Sequence, residues 1–362
     1  MNLVVKIGSS SITNLFFGIN DAILSSICEQ VFKAHKDGHR IALVTSGAIA
    51  VGLGKLGITG ERPSEMSVLQ AASAVGQGHL IGAYAQELHK FGILSGQVLL
   101  SGSDFMVRKQ YLSAKSTIGR MLELGVIPVI NENDAIADDE IRMGDNDRIA
   151  ALVAGLIGAD VLVLLTDQDG LFSADPRYFT DATLIEQVEE VTRELSDVAG
   201  GKGTSRGSGG MATKIMAARI AAWSGVETLI TSATNTIAIQ DALSHRIGNG
   251  TWVARSKTRL TSRKLWIAFA VPVAASIVVD EGAKEAIVKR GSSLLSVGVI
   301  RLEGTFDSDD AIEVRSQDGA VIAKGLSRMS STDLNSRVEL HKAGAIIVES
   351  SMLIHRDDLI IL

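Results

Sequence analysis

The sequence predicts an α/β protein whose mostly parallel sheet is covered by helices on both faces, followed by a small β-barrel. Three observations support this fold class. Short apolar segments alternate with helical periodicity along the first two thirds of the 362 residues, an order typical of parallel sheets. Aromatic residues make up only 4% of the chain, and small and β-branched residues dominate, as in buried parallel strands. The last part has short strands with period-two alternation, typical of a barrel.

The predicted strands of the sheet are short apolar runs, each followed by a turn or a helix start. They are Leu3–Ile7, Arg40–Thr45, Ile93–Leu100, Val126–Ile130, Val161–Thr166 and Glu227–Thr231. The helices between them have apolar residues at helical spacing. They are Asn20–Asp37, Gly47–Leu53, Ser64–Phe91, Gln110–Leu124, Asp147–Ile157 and Met211–Trp223. The predicted barrel strands are Ser276–Val279, Val299–Glu303, Ala311–Ser316 and Val321–Gly325, around the helix Glu281–Lys289.

Composition argues against several classes of protein. The net charge of -6 and the pI near 5.7 give the chain no overall attraction for polyanions. The lone cysteine, Cys28, cannot form an internal disulfide, so we expect a reducing, cytoplasmic compartment. No export signal is visible at the start of the sequence. The most apolar segment, 149–166, is interrupted by Gly158 and Asp160 and is shorter than the roughly 20 residues of a membrane span, so we expect no membrane association.

Polar and glycine-containing segments occur where the predicted strands end. They are residues 8–10 after Lys6, residues 45–48, residues 131–134 and residues 166–170. Ligands bind beyond the carboxyl ends of parallel strands, so these segments predict a single site. Asn131–Asp134 and the following Gly144–Asp147 suit a small polar ligand and a metal ion. For either cluster alone, an ordinary Asn/Asp-rich turn is the alternative.

A glycine-rich segment before the helix Met211–Trp223 is a candidate phosphate-binding loop. It reads Gly207-Ser208-Gly209-Gly210-Met211-Ala212-Thr213-Lys214. Its glycines expose backbone N–H groups, the helix dipole adds partial positive charge and the lysine adds a full charge. The segment is not a Walker A motif, because no glycine immediately precedes the lysine, and no Gly-x-Gly-x-x-Gly follows the first strand. A flexible surface loop is the alternative.

The motifs VVKIGSSS, VTSGAIAVG, IPVINENDA, GDND, LLTDQDGLFSADPR and GSGGMATK, in this order, resemble those of the glutamate 5-kinases in the amino acid kinase family. The resemblance covers essentially the whole chain, since residues 272–350 resemble the PUA domain of many bacterial members. It implies a three-layer α/β/α sandwich around a mainly parallel, eight-stranded sheet in residues 1–254. A basic linker, 255–271, then joins this domain to the PUA-like domain, and residues 351–362 form a tail.

The resemblance also implies an activity and its site residues. Members use ATP and Mg²⁺ to phosphorylate the side-chain carboxylate of L-glutamate, which gives L-glutamyl 5-phosphate and begins proline synthesis. Lys6 would contact the transferred phosphate, Lys214 the leaving side of ATP, and Asp147 would orient both ammonium groups. The implied nucleotide-binding residues are Lys6, Thr166, Asp167, Ser208, Gly209, Gly210, Met211, Ala212, Thr213 and Lys214. Ser208 and Ala212 stand where threonine and serine are often seen, and no direct metal ligand is assigned.

Charge complementarity supports this activity. The side chain of glutamate, with a pKa of about 4.3, is ionised at neutral pH and needs no general base. Phosphoryl transfer between two anions requires charge neutralisation and positioning instead. Asp134 can pair with the substrate ammonium, while Ser46, Asn131 and Asn146 hold its carboxylates. Kinases for acetylglutamate, aspartate or carbamate are the close alternatives, although Asp134 argues against an acetylated amine.

An RNA-binding or regulatory protein with a kinase-like sensor domain is the second hypothesis. Residues 255–264 carry five basic and no acidic side chains, yet such linkers are usually solvated connectors. Residues 272–350 contain nine Lys/Arg and twelve Asp/Glu, which disfavours phosphate contacts. RNA binding by the PUA-like domain is therefore not expected, although it stays open. From the resemblance we also expect feedback inhibition by proline, a homo-oligomer, and glutamyl phosphate reductase as the pathway partner.

Overall fold

The computed structural model describes residues 1–14, 18–58, 60–136, 146–191, 195, 210–257, 259–269, 271–342 and 352–362. The chain divides into two compact units, Met1–Arg259 and Leu260–Leu362. Within this described part, no helix is both long enough and apolar enough to cross a membrane.

The first unit is built on an eight-stranded sheet. Its strands are β1 Asn2–Ile7, β2 Arg40–Val44, β3 Ser95–Leu100, β4 Ile127–Glu132, β5 Val161–Thr166, β6 Gln187–Val188, β7 Glu227–Ser232 and β8 Thr251–Val253. Their spatial order is β3-β4-β2-β1-β5-β7-β8-β6. Every neighbouring pair is parallel except β7 and β8, which are antiparallel. The predicted mainly parallel sheet is therefore confirmed.

The helices of the first unit lie between these strands in sequence. They are α1 Ser9–Ile12, α2 Asp21–Lys36, α3 Ala48–Lys55, α4 Met66–His89, α5 Gly102–Met106, α6 Arg108–Glu123, α7 Asn146–Ile157, α8 Met211–Trp223 and α9 Ala238–Ser244. Asn20 caps α2, because its side chain accepts a hydrogen bond from the Ile23 N–H at 3.4 Å. The chain leaves this helix through Gly38, whose φ of 85° favours glycine.

The core of the first unit lies on both faces of the central strands. Leu3, Val5 and Ile7 of β1 pack in one cluster with residues of α2 and α4. Because successive strand residues point to opposite faces, Lys6 points to the other face, which α7 covers. This alternation gives the three-layer arrangement of helices, sheet and helices, and it places Lys6 beneath the first turn of α7.

The second unit is rich in β-structure and has its own core. Its strands are β9 Val273–Val279, β10 Leu294–Leu295, β11 Val299–Glu303, β12 Ala311–Arg315, β13 Val321–Leu326, β14 Met352–Ile354 and β15 Leu359–Ile361. Its helices are α10 Ser262–Phe269, α11 Glu281–Val288 and α12 Ser331–Lys342. The strands form a five-stranded sheet in the order β11-β9-β12-β13-β15 and a two-stranded sheet of β10 and β14.

The second unit extends beyond residues 272–350 at both ends. The predicted linker 255–271 contains α10, where Ile267 is fully buried and Arg263 Nε lies 2.6 Å from Asp358 Oδ1. Lys324 Nζ donates to the Ala268 carbonyl at 3.2 Å, which satisfies an acceptor at the end of the helix. The predicted tail 351–362 contains β14 and β15, whose apolar side chains complete the core. The predicted linker is therefore partly a folded element, and its basic Arg263 makes an ion pair.

Candidate active site

Lys6 and Lys214 meet at one carboxylate. Lys6 lies near the end of β1, and Lys214 lies in the first turn of α8. Lys6 Nζ is 2.5 Å from Asp147 Oδ1, and Lys214 Nζ is 3.2 Å from Asp147 Oδ2. The side chains are 6%, 5% and 0% exposed in the order Lys6, Lys214, Asp147. Two lysines from opposite ends of the first unit therefore share one buried anion.

Asp147 is held at this position by its helix and by a further hydrogen bond. It occupies the first turn of α7, where the helix dipole favours a negative charge. Thr213 Oγ1 donates to Asp147 Oδ2 at 2.9 Å. Burial acts to raise the pKa of Asp147, but the ammonium groups of Lys6 and then Lys214 outweigh it and keep this pKa below its usual range. The carboxylate is thus ionised at neutral pH, and these three groups together carry one more positive than negative charge.

The Thr45–Gly47 segment fixes Ser46, which is buried at the end of β2. The Thr45 N–H donates to the Ile130 carbonyl at 2.8 Å, and its hydroxyl lies 3.0 Å from the buried hydroxyl of Tyr84 on α4. Gly47 has φ 96° before α3, a conformation that favours glycine. Ser46 is thereby positioned by both the sheet and α4.

Asn131 and Asn146 are joined through the end of β4. The strand includes Asn131 and Glu132, two residues more than its apolar run predicts. Asn146 Oδ1 accepts a hydrogen bond from the Glu132 N–H at 3.2 Å, and Asn131 Nδ2 donates to Gln77 Oε1 at 2.6 Å. The residues after β4 and the start of α7 therefore lie together, while residues 137–145 between them lie outside the described residues.

Asp134 is a half-buried acid two residues beyond β4. Burial raises the pKa of its carboxyl to about 6, although the charge of Arg62 and a hydrogen bond from Ser73 oppose this shift. Its ionised form is therefore costly in the absence of a ligand. A cation bound beside it would favour the ionised form.

The predicted nucleotide residues lie at the ends of β5 and α8. Thr166 ends β5, and its hydroxyl donates to Asp167 Oδ1 at 3.0 Å. β5 pairs with β1, with Lys6 opposite Leu164, so both strand ends lie at the same edge of the sheet. Gly210 precedes α8, whose first residues are Met211, Ala212, Thr213 and Lys214. Ser208 and Gly209 lie outside the described residues.

The structure groups the predicted residues in two ways. Lys6, Thr213 and Lys214 each contact Asp147. Ser46 and Asn131 are held by α4, through Tyr84 bound to Thr45 and Gln77 bound to Asn131, and Ser73 of the same helix lies beside Asp134. Sequence reasoning missed these three α4 residues. Their polar groups at positions spaced by four and seven share one helix face, which was the available signal.

The match to known proteins extends along the whole chain. Residues 1–232 match the model of the amino acid kinase family, and residues 275–345 match the PUA domain. The chain belongs to the amino acid kinase family. It is 42% identical over 367 residues to a glutamate 5-kinase of Caldanaerobacter subterraneus subsp. tengcongensis, an alignment that covers 100% of this chain and 98% of the relative. It is 43% identical over 365 residues to a glutamate 5-kinase of Chromobacterium violaceum, with 99% and 97% covered.

A solved structure supports the fold independently. An isopentenyl phosphate kinase structure aligns with a TM-score of 0.50 and 20% sequence identity, over 70% of this chain and 100% of that one. At this identity the likeness concerns the fold alone. The predicted family and the predicted fold class are confirmed.

Proposed function

We propose that the protein phosphorylates the side-chain carboxylate of L-glutamate with ATP, giving L-glutamyl 5-phosphate and ADP. The observation that carries this proposal is the convergence of Lys6 and Lys214 on Asp147, beside a cluster of amides and an acid that suits an amino acid. The relatives that match over the full length of the chain bear the name glutamate 5-kinase, which supports the choice of substrate.

The reaction depends mainly on neutralising the charge of the reactants and on positioning them. A side-chain carboxylate oxygen of glutamate attacks the γ-phosphorus of ATP, an acyl–phosphate bond forms, and the bond from that phosphorus to the bridging oxygen of ADP breaks. No proton is transferred, because the attacking carboxylate is already ionised. The main barrier is the approach of two anions with the reacting atoms in line. The site provides two buried cations, which neutralise negative charge as the two anions approach.

Lys6 and Lys214 supply the neutralisation in this proposal. A lysine about 4 Å from a phosphate charge, at an effective dielectric constant of about 20, contributes roughly 4 kcal/mol before desolvation. That is equivalent to about a thousandfold in rate. Asp147 holds both ammonium groups in place before the nucleotide arrives, so that less reorganisation is needed at the moment of transfer. Thr213 in turn orients Asp147.

Mg²⁺ is proposed to enter with the nucleotide as part of its substrate form. Among the described residues, no three His, Cys, Asp or Glu side chains converge on one point that could hold a metal ion. This fits Mg²⁺, which commonly keeps several waters and binds substrate phosphates with only one or two carboxylates. The bound ion supplies additional charge neutralisation on the phosphates. The chain's own residues position the reactants.

The amino-acid pocket is proposed to lie at the end of β4. Asp134 pairs with the ammonium of glutamate, and Ser46, Asn131 and Asn146 hold its carboxylates. Because Asp134 is half-buried, its carboxylate gains more from a charged partner than it would in water. An acetylated amine offers no such partner, which favours free glutamate over acetylglutamate.

Trapping with hydroxylamine tests the proposed reaction. The protein is incubated with ATP, MgCl₂, hydroxylamine and L-glutamate, and glutamyl hydroxamate is measured, since only an acyl phosphate yields it. We expect hydroxamate that depends on both ATP and glutamate, with much less from aspartate or N-acetylglutamate. Hydroxamate that forms without ATP, or no hydroxamate at all, would count against a kinase and in favour of the sensor hypothesis.

Several properties go with this proposal as further expectations. Glutamyl phosphate is labile, so glutamyl phosphate reductase is the proposed pathway partner that consumes it. Proline is the proposed feedback inhibitor, the chain is proposed to form a homo-oligomer, and its proposed location is the cytoplasm. The proposed domain boundaries are 1–254, 255–271, 272–350 and 351–362, with the additional elements at both ends of the second unit described above.

A further inference from the structure

One face of α4 contacts the candidate substrate residues after β4. Ser73 lies beside Asp134 and opposes the rise in the pKa of its carboxyl, and Gln77 Oε1 accepts a hydrogen bond from Asn131 Nδ2 at 2.6 Å. Ser73 and Gln77 are four residues apart, so they lie one turn apart on the same face of the helix. Ser73 is 2% exposed, Gln77 8% and Asn131 0%. α4 is therefore part of the wall of the proposed amino-acid pocket.

The Gln77–Asn131 pair has two polar atoms left over inside this wall. Gln77 Nε2 and Asn131 Oδ1 are buried and have no hydrogen-bond partner among the described residues. A buried polar group without a partner typically costs about 1–3 kcal/mol. Such groups in native proteins are normally satisfied by water or a ligand. The pair thus has one buried donor and one buried acceptor without a partner among the described residues at the end of β4.

This buried donor and acceptor match an α-amino acid. A carboxylate accepts from an amide N–H, and an ammonium group donates to an amide oxygen. If the oxygen and nitrogen of both the Gln77 and Asn131 amides are exchanged, the two side chains still bond to each other. One donor and one acceptor then still remain without a partner. Asp134, three residues after Asn131, adds the negative charge that an ammonium group requires. A neutral ligand of the same size would leave this charge unmatched.

We propose that Gln77 is a specificity-determining residue for glutamate, whose Nε2 donates to the substrate α-carboxylate. Asn131 Oδ1 then accepts from the α-ammonium, so in this arrangement Asn131 contacts the ammonium and not a carboxylate. This inference rests on the proposed function and deepens it. The α-amino and α-carboxyl groups are anchored by α4 and β4, which leaves the side-chain carboxylate free to face Lys6 and Lys214. Gln77 selects the form of the amino acid that has a free α-carboxylate.

The test changes one hydrogen-bonding group in the protein and, separately, its proposed partner group in the substrate. Gln77→Glu keeps an oxygen for Asn131 Nδ2 but replaces the donor with a second oxygen. Isoglutamine, the α-amide of glutamate, keeps the ammonium and the side-chain carboxylate but replaces the α-carboxylate with a group that can donate. The ratio of kcat/KM for glutamate to that for isoglutamine is measured from ADP release, and the ratio of their Kd values by calorimetry.

We expect Gln77→Glu to lower the kcat/KM ratio, and to raise the ratio of the glutamate Kd to the isoglutamine Kd, each by about ten- to a hundredfold, the contribution of one hydrogen bond to a charged group. Gln86→Glu, an exposed change on the same helix, should leave them unchanged. If Gln77 only supports Asn131, both substrates weaken equally and the ratios stay at the wild-type value, which overturns the inference.

Gln77→Met provides a second route if a buried glutamate prevents folding. It removes the donor without adding charge, so the glutamate preference should again fall, whereas an unchanged preference overturns the inference. The binding ratio can be measured without turnover. A wild-type protein that binds glutamate but forms no acyl phosphate would therefore refute the proposed reaction, while leaving the role of Gln77 to be decided by the ratios.

Discussion

At the scale of single residues, Asp147 is the most constrained side chain of the site. It is fully buried, contacts Lys6 and Lys214, and accepts a hydrogen bond from Thr213. Its pKa lies below the usual range, so its ionised form stabilises the fold at pH values above about 4 and this contribution is lost on acidification below that value. It thus stabilises the fold, and in the proposed function it also positions the two lysines.

Replacing this carboxylate should leave two buried ammonium groups facing each other. We expect Asp147→Asn to lower the free energy of unfolding by about 3–5 kcal/mol, the usual cost of removing one partner of a buried ion pair. ATP should restore part of this loss, because its phosphates are anionic. Chemical denaturation with and without ATP measures both effects. Asp175→Asn, which removes an exposed ion pair with Arg177, is the control and should change little. An equally small effect for Asp147→Asn would contradict the arrangement in which Asp147 pairs with the two buried lysines.

Asp134 predicts a pH dependence of substrate binding. Burial raises its pKa to about 6, and in the proposed function the substrate ammonium pairs with the ionised form. A raised carboxyl pKa means that the protonated form dominates below this pH, so glutamate binding should weaken as the pH falls. We expect the Kd of glutamate to rise about tenfold between pH 7.5 and pH 5, as measured by calorimetry. Asp134→Asn should bind weakly at both values. A wild-type Kd that is flat over this range would show that Asp134 does not pair with the ammonium.

At the scale of elements, α3 and α4 approach each other through glycine. A Cβ atom on Gly76 would overlap the carbonyl oxygen of Ala48 and the backbone nitrogen of Gly52, whereas one on Gly78 would meet nothing within 4 Å. The close approach keeps α4 beside Ser46 at the start of α3. The positions of these two helices therefore determine the shape of the proposed amino-acid pocket.

This contact predicts opposite outcomes for two similar substitutions in one helix. Gly76→Ala should lower the free energy of unfolding by about 3 kcal/mol through overpacking and raise the KM for glutamate, because α4 must shift. Gly78→Ala should raise stability by about 0.5–1 kcal/mol, as alanine is the better helix former, and leave the KM unchanged. Thermal unfolding and glutamate kinetics check both. Equal effects of the two variants would show that the helices are not in close contact.

The sequence predicted most elements of the sheet and much of the site, for physical reasons that differ by region. The long apolar runs of β1 and β5 and the capped helix α2 carry strong local signals. β6 and β8 have only two and three residues, too few for periodicity to detect. The polar face of α4 was missed because its partners come from β2 and β4, which only the tertiary structure brings near. α10 was missed because its basic residues resemble a solvated linker, although Ile267 is buried.

At the scale of the whole molecule, the described residues of the candidate site all lie in the first unit. Each unit has its own hydrophobic core, which is typical of parts that can fold separately. A chain that ends at Arg259 should therefore keep most of its glutamate-dependent activity. The hydroxamate assay, with circular dichroism to verify folding, measures this. Loss of activity in a truncated but folded first unit would mean that the second unit contributes to catalysis.

The proposed convergence of Lys6 and Lys214 on the triphosphate of ATP is most directly tested by the kcat of Lys6→Ala and Lys214→Ala in the hydroxamate assay. Lys55→Ala, on the exposed side of α3, is the control. We predict that each of the two buried-lysine variants loses about a thousandfold in kcat while remaining folded, and that the control is unaffected. A folded Lys214→Ala or Lys6→Ala variant that turns over at the wild-type rate would contradict the assigned roles.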